Sequence, residues 1–149
     1  MAIKYRLIID READEEITVR VHSPSRLTSE IENLVNSYTG NDSIPVRRGD
    51  GMMRLLFSDI ECITVADRKV YAIDTLGQKH RVSGALCDVE AVLPSYFVRI
   101  NKSAVANENR ILKFNTVYSG AVDAVFKCGY REYVSRRCFR EIKRRLEVK

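Results

Sequence analysis

The chain has 149 residues, of which 45% are hydrophobic and 30% charged, with a formal net charge of +5. That length makes one domain, or one domain with a small appendage, and buries a core without disulfide or metal staples. No apolar run approaches the roughly 18 residues of a membrane span, and Leu7-Ile8-Ile9 gives way at once to Asp10 and further acids, unlike a secretory signal, so a cytoplasmic location is expected.

From the N-terminus, Ile3–Ile9 alternates Ile3, Tyr5, Leu7 and Ile9, and Ile17–Val21 repeats the period of two. The pattern predicts two strands joined by the acidic turn Asp10–Glu16. Ser23-Pro24 offers a helix start, since proline is tolerated at the first helical position. Leu27, Ile31, Leu34, Val35 and Tyr38 then fall at helical spacing as one apolar stripe. Gly40-Asn41-Asp42-Ser43 ends the helix. Residues 1–43 are thus expected to form a small acidic strand–strand–helix unit, with five Lys/Arg against eight Asp/Glu. So small a core needs a surface to pack on, either the rest of the chain or a second copy. Forty-three residues are also too few for a phosphorylatable receiver domain, so no receiver is expected.

Residues 44–149 read as a second domain, mostly strands. Ile44–Arg48 and Met52–Phe57 flank the turn signal Gly49-Asp50-Gly51. Ile60–Val65 and Val70–Thr75 follow, with Ala66-Asp67-Arg68-Lys69 between them, and then Gln78–Val82. Ser83 can cap a short helix with apolar face Leu86, Val89 and Leu93, stopped by Pro94. Strands are predicted over Ile111–Asn115, Ala121–Lys127 and Tyr130–Val134. A final helix from Arg136 to about Leu146 buries Phe139, Ile142 and Leu146. The fold class is mainly β with short helices (α+β).

Catalysis finds little support. No Walker loop, G-x-G-x-x-G or H-E-x-x-H motif occurs, and neither His22 nor His80 lies beside a nucleophile motif. Asp59, Glu61 and Asp67 look like ordinary strand-start and loop residues. Cys62, Cys87, Cys128 and Cys138 show no C-x-x-C spacing, and the histidines do not cluster with them. The reading is a non-enzyme with no cofactor, metal or small-molecule substrate. Reduced thiols are expected, with Cys62 and Cys87 as small core residues.

The charge distribution says more. Residues 44–149 carry twenty basic residues against twelve acidic, and Ser135 to Lys149 alone has seven against two. Basic charge gathered in one domain is the footprint of a nucleic-acid binder. Phe97-Val98-Arg99-Ile100-Asn101-Lys102-Ser103-Ala104-Val105-Ala106-Asn107 alternates apolar with polar residues and changes phase at Lys102. Val134-Ser135-Arg136-Arg137 is a strand end entering a Ser-capped basic helix.

The pattern F-x-R-[IV]-x-[RK]-S-x-x-x-N, followed about thirty residues later by hydrophobic-Ser-Arg-Arg, resembles the signature of the LytTR DNA-binding domain. The resemblance runs from about Ile44 to Lys149. It implies an elongated antiparallel β domain whose loops enter successive major grooves of duplex DNA. The matching positions are Arg68 and Lys69, then Asn101, Lys102 and Ser103, then Arg136 and Arg137, with Arg140 following on the basic helix. Lys102 and Arg137 are the best matches to base readers, and Ser103 and Ser135 suit phosphate. Many members have His-Arg or His-Asn where this chain has Asn101-Lys102. For Asn101 a second reading stands beside DNA contact, a local hydrogen bond that holds the turn before Ser103.

The resemblance further implies a stand-alone transcriptional regulator acting on paired promoter repeats, with a homodimer and a membrane-protein inhibitor as possible partners. Two alternatives remain. RNA or single-strand binding would need exposed aromatic platforms, yet Tyr71, Phe97, Tyr118, Phe126, Tyr130 and Tyr133 sit at core-like strand positions. A protein-interaction module is the other, and residues 1–43 suit it.

Overall fold

A computed structural model describes residues 3–116 and 120–147. Helix α1 spans Arg26–Thr39 and is followed by strands β1 (Ser43–Arg48), β2 (Gly51–Leu56), β3 (Ile60–Ala66), β4 (Lys69–Asp74) and β5 (Lys79–Val82). Helix α2 (Leu86–Val92) leads to β6 (Phe97–Asn101), β7 (Ala104–Asn107), β8 (Ile111–Thr116), β9 (Val122–Phe126), β10 (Arg131–Val134) and the last helix α3 (Arg136–Glu147). All described strand pairings are antiparallel.

The strands form a seven-stranded sheet of order β2-β1-β5-β4-β3-β7-β6 and a three-stranded sheet of order β10-β9-β8. The large sheet has a core on each face. On one, Val46, Ile63, Val70 and Val105 pack with Leu86 and Val89 of α2. On the other, Cys62, Ile73, Ile100 and Ala106 pack with Val122, Ala124 and Phe126 of the small sheet and with Ile142 of α3. Burial on both faces explains why β3 reads as a nearly continuous apolar run rather than an alternation.

The strand predictions from residue 44 onward hold to within a residue or two. Helix α2 starts from Ala85, not Ser83, and Cys87 is exposed on it rather than in the core. Of the apolar face predicted for α3, Ile142 is buried and Phe139 meets Phe114 edge-on. The Leu146 side chain and Tyr118 lie outside the described residues.

The N-terminal region departs most from expectation. Residues 3–22 form no strand and are exposed throughout, Ile3 at 75%, Tyr5 at 87% and Ile9 at 82%. A strand exists only through hydrogen bonds to a neighbour, and no described strand of this chain pairs with the segment. Helix α1 begins at Arg26 behind Ser25, and Gly40 ends it at φ 81°, the left-handed conformation glycine adopts without strain.

Helix α1 is fastened to the domain by polar groups. Glu32 accepts from the Ser95 backbone N–H and hydroxyl at 2.5 Å each, and the Tyr96 hydroxyl donates to Asn33 at 2.6 Å. The Asn109 amide donates to the Ser29 hydroxyl at 2.9 Å. These residues share one side of the helix. The apolar stripe lies on the opposite side, where Leu34 is 69% and Tyr38 92% exposed while Ile31 and Val35 are half-buried.

Candidate nucleic-acid interface

Three connections carry the cations singled out in the sequence: the β3–β4 turn, the β6–β7 turn and the junction of β10 with α3. The Val65 backbone N–H donates to the Ser103 carbonyl at 2.9 Å, joining the first two. The Ser135 N–H donates to the Ile100 carbonyl at 2.8 Å, joining the second and third. Main-chain bonds between elements dozens of residues apart thus hold all three at one edge of the molecule.

The β3–β4 hairpin closes at the Ala66–Lys69 pair, leaving Asp67 and Arg68 as a two-residue turn. Both have positive φ, 51° and 64°, as the type I′ geometry of such hairpins requires. Asn-Gly is the comfortable pair there, and a residue with a Cβ in this region costs on the order of 1 kcal/mol. In exchange, Arg68 and Lys69 stand exposed at the tip.

In the β6–β7 hairpin the pairing register slips between Arg99 and Asn101. This irregularity turns Ile100 and Asn101 inward together, so Asn101 is only 7% exposed. Its amide N–H donates to the Tyr133 carbonyl and its Oδ1 accepts from the Ser103 N–H, both at 2.6 Å. Asn101 is therefore not offered to DNA. Of the two readings open for it, the local bond before Ser103 is the one present, and a second bond ties the turn to β10. Lys102 is the exposed residue of the turn, and Ser103 is half-buried. Arg99 pairs with Glu90 at 2.6 Å and donates to the Lys102 carbonyl at 2.9 Å, so it braces the turn from behind. The hydrogen bonds that Arg99 donates to Glu90 outweigh burial and hold the guanidinium above its usual pKa.

At the third connection, the Ser135 hydroxyl accepts from the Cys138 N–H at 3.2 Å, the bond of an N-cap. Arg136 and Arg137 open α3, with no acidic residue in its first turn. Cations at the positive end of a helix cost roughly 0.3–1 kcal/mol. A phosphate there would meet free N–H groups and two guanidinium ions, which reverses the sign of that interaction. Arg136, Arg137 and Arg140 are exposed. Among the described residues, these three, Arg68, Lys69 and Lys102 have no ion-pair partner. Arg144 and Arg145 differ, being paired with Glu141 at 3.4 Å and Glu108 at 3.1 Å.

Behind the edge, polar groups that sequence reasoning missed lock the two sheets together. Glu61, with no exposure, accepts from Arg110 and from the Cys128 backbone N–H, the latter at 2.9 Å. Glu132 of β10 accepts from the hydroxyls of Thr64 and Tyr130, each at 2.8 Å. The Tyr130 phenol is pushed up in pKa by burial first and by Glu132 second, and burial likewise raises the Cys62 thiol. An Asp or Glu at a strand position is not legible as buried from sequence alone.

Aromatic stacking platforms are not arrayed among the described residues. Phe97 and Phe126 are in the core, Tyr130 is half-buried, and Tyr133 is the one aromatic of the candidate set that is largely exposed among the described residues. No described helix is long and apolar enough to cross a membrane.

HTH-type transcriptional regulators of Staphylococcus aureus strains MSSA476 and N315 are each 28% identical to this chain over 149 residues, covering 98% of it and 99% of their own length. A LytTr DNA-binding domain from a Bacillus cereus response regulator matches in structure with a TM-score of 0.64 at 20% identity, over 71% of this chain and 97% of that one. That likeness is one of fold. The family model described as the LytTr DNA-binding domain matches residues 50–147, a stretch that contains all three connections of the basic edge. The chain belongs to the LytTR family of DNA-binding domains.

Proposed function

We propose that the chain is a sequence-specific transcriptional regulator that reads paired promoter repeats in duplex DNA through side chains set into the major groove. The observation that carries this reading is the hydrogen-bonded edge, where six cations without ionic partners among the described residues project from three connections. A rigid edge loses little conformational freedom on binding, and unpaired cations release counterions from DNA when they meet phosphate. Lys102 and Arg137 are assigned to base edges, Arg68 to a third base contact, and Lys69, Ser103, Arg136 and Arg140 to phosphates. Regulation by a partner protein that masks this edge fits the same reading.

Binding of Arg137→Ala to a selected site and to random duplex measures the assignment. Specific binding is expected to weaken by about 1–3 kcal/mol relative to random duplex, the value of a bidentate base contact. Equal weakening on both would reduce Arg137 to a phosphate contact. Lys69→Ala is expected to weaken both alike and to lower the slope of log affinity against log salt by about one. Competition by single-stranded DNA as effective as duplex would favour the stacking mode instead.

A further inference from the structure

The face of the large sheet that packs on the small sheet changes character along its width. Beneath the small sheet and α3 it carries Cys62, Ile73, Ile100 and Ala106. Where the same face continues onto β4, β5 and β1, the register sets Thr64 opposite Tyr71, Tyr71 opposite Arg81, and Arg81 opposite Arg47. Residues opposite one another in an antiparallel pair project from one face, as do residues two apart along a strand. Lys69 and Lys79 therefore join this row, and the Lys79 ammonium lies 5.7 Å from the centre of the Tyr71 ring. Lys69, Lys79 and Arg47 are exposed, with Tyr71 and Arg81 half-buried beside them.

Four cations gathered on one face are unfavourable as they stand. Like charges directly opposite each other repel, and Arg47 faces Arg81 across β1 and β5. Among the described residues none of the four has an ion-pair partner. The Arg81 Nε is enclosed without a hydrogen-bond partner there. Glu132 reaches this side through Thr64, but both its oxygens are engaged, by the Thr64 and Tyr130 hydroxyls and the Tyr133 N–H. A surface that gathers one sign of charge without internal counter-charge complements an anion. Its position says which one. Strands rise about 3.3 Å per residue, so Tyr71 and its neighbour Arg81 stand roughly 10 Å behind Arg68 at the hairpin tip. The major groove of duplex DNA is about 8.5 Å deep. With Arg68 at the floor of a groove, the row lies level with the phosphates that border it.

We infer that Lys79, Arg81 and Arg47, continuing from Lys69, form a phosphate-binding face that grips the DNA backbone beside the groove entered by Arg68. The inference rests on the proposed insertion of that turn and carries the contact surface beyond the three connections. Such contacts read no sequence, but they fix the register and tilt of a protein on the duplex. The Tyr71 ring steadies the Lys79 ammonium by cation–π attraction.

Affinity of the full chain for random duplex, measured across a range of salt, tests the inference. Each phosphate contact contributes about 0.9 to the slope of log affinity against log salt. Arg47→Gln and Lys79→Gln are each expected to lower the slope by about one and to weaken binding about fivefold at about 0.15 M salt. Together they should lower it by about two. Neither variant should melt below the parent, because removing a like charge relieves repulsion. Lys113→Gln removes an exposed cation from the outer side of the small sheet and should leave the slope unchanged. A slope unmoved by Arg47→Gln and Lys79→Gln, or lowered as much by Lys113→Gln, would overturn the inference. The ratio of selected-site to random affinity should stay that of the parent. A parent that prefers no site would fail the base-reading proposal alone, since slopes on random duplex do not depend on it.

Discussion

Adjacent residues in the β6–β7 turn have opposite work. Asn101 is engaged in two internal hydrogen bonds, and Lys102 has its charge in solvent. Their replacement should therefore separate fold from binding. Asn101→Ala leaves the Tyr133 carbonyl and the Ser103 N–H without their partner, at a cost of about 2 kcal/mol in stability. Since it loosens the β6–β7 turn and its tie to β10, it should also weaken specific and random DNA together. Lys102→Ala should leave the melting temperature unchanged and reduce DNA affinity alone. Thermal melts and binding isotherms on the two variants check the contrast, and a stable Asn101→Ala protein would remove the positioning role. Asn101 was legible as a turn residue, because a short polar side chain before Ser is a common local bond. Its contact with Tyr133, thirty-two residues away, was not.

At the scale of an element, the β3–β4 hairpin shows stability exchanged for a cationic tip. Asp67 and Arg68 both hold positive φ where an Asn-Gly pair would be relaxed. Asp67→Asn combined with Arg68→Gly is expected to raise stability by about 1 kcal/mol, a few degrees in melting temperature for a domain of this size. The same change should lower DNA affinity, because it removes the Arg68 cation from the edge. Calorimetry and binding on one double variant give both signs, and an unchanged affinity would take Arg68 out of the interface. The elements themselves were readable in outline. Turn signals at Gly49-Asp50-Gly51 and Gly77 bracket strands whose ends were found to within a residue or two. The N-terminal strands failed because alternation describes a side-chain pattern, and the hydrogen bonds that make a strand need a partner that residues 3–22 do not find among the described residues of this chain.

For the whole molecule, the β10–α3 connection keeps its place in the basic edge only while the small sheet, which leads into α3, stays in register with the large one. Glu61 bridges them as a buried carboxylate between Arg110 and the Cys128 N–H. Glu61→Ala leaves a partly buried guanidinium uncompensated, an expected loss of roughly 3–5 kcal/mol. Denaturant unfolding would measure it. A loss below ~1 kcal/mol would mean the apolar core alone joins the sheets. Charge, alternation and the signature from Phe97 to Asn107 were enough to indicate a strand-built DNA-binding domain of the LytTR type, since these are local properties of the chain. The turning of Asn101 inward, the burial of Glu61 and the outward apolar face of α1 came from pairing register and from partners dozens of residues away. Such contacts depend on where distant strands meet, and no local pattern of residues encodes that meeting.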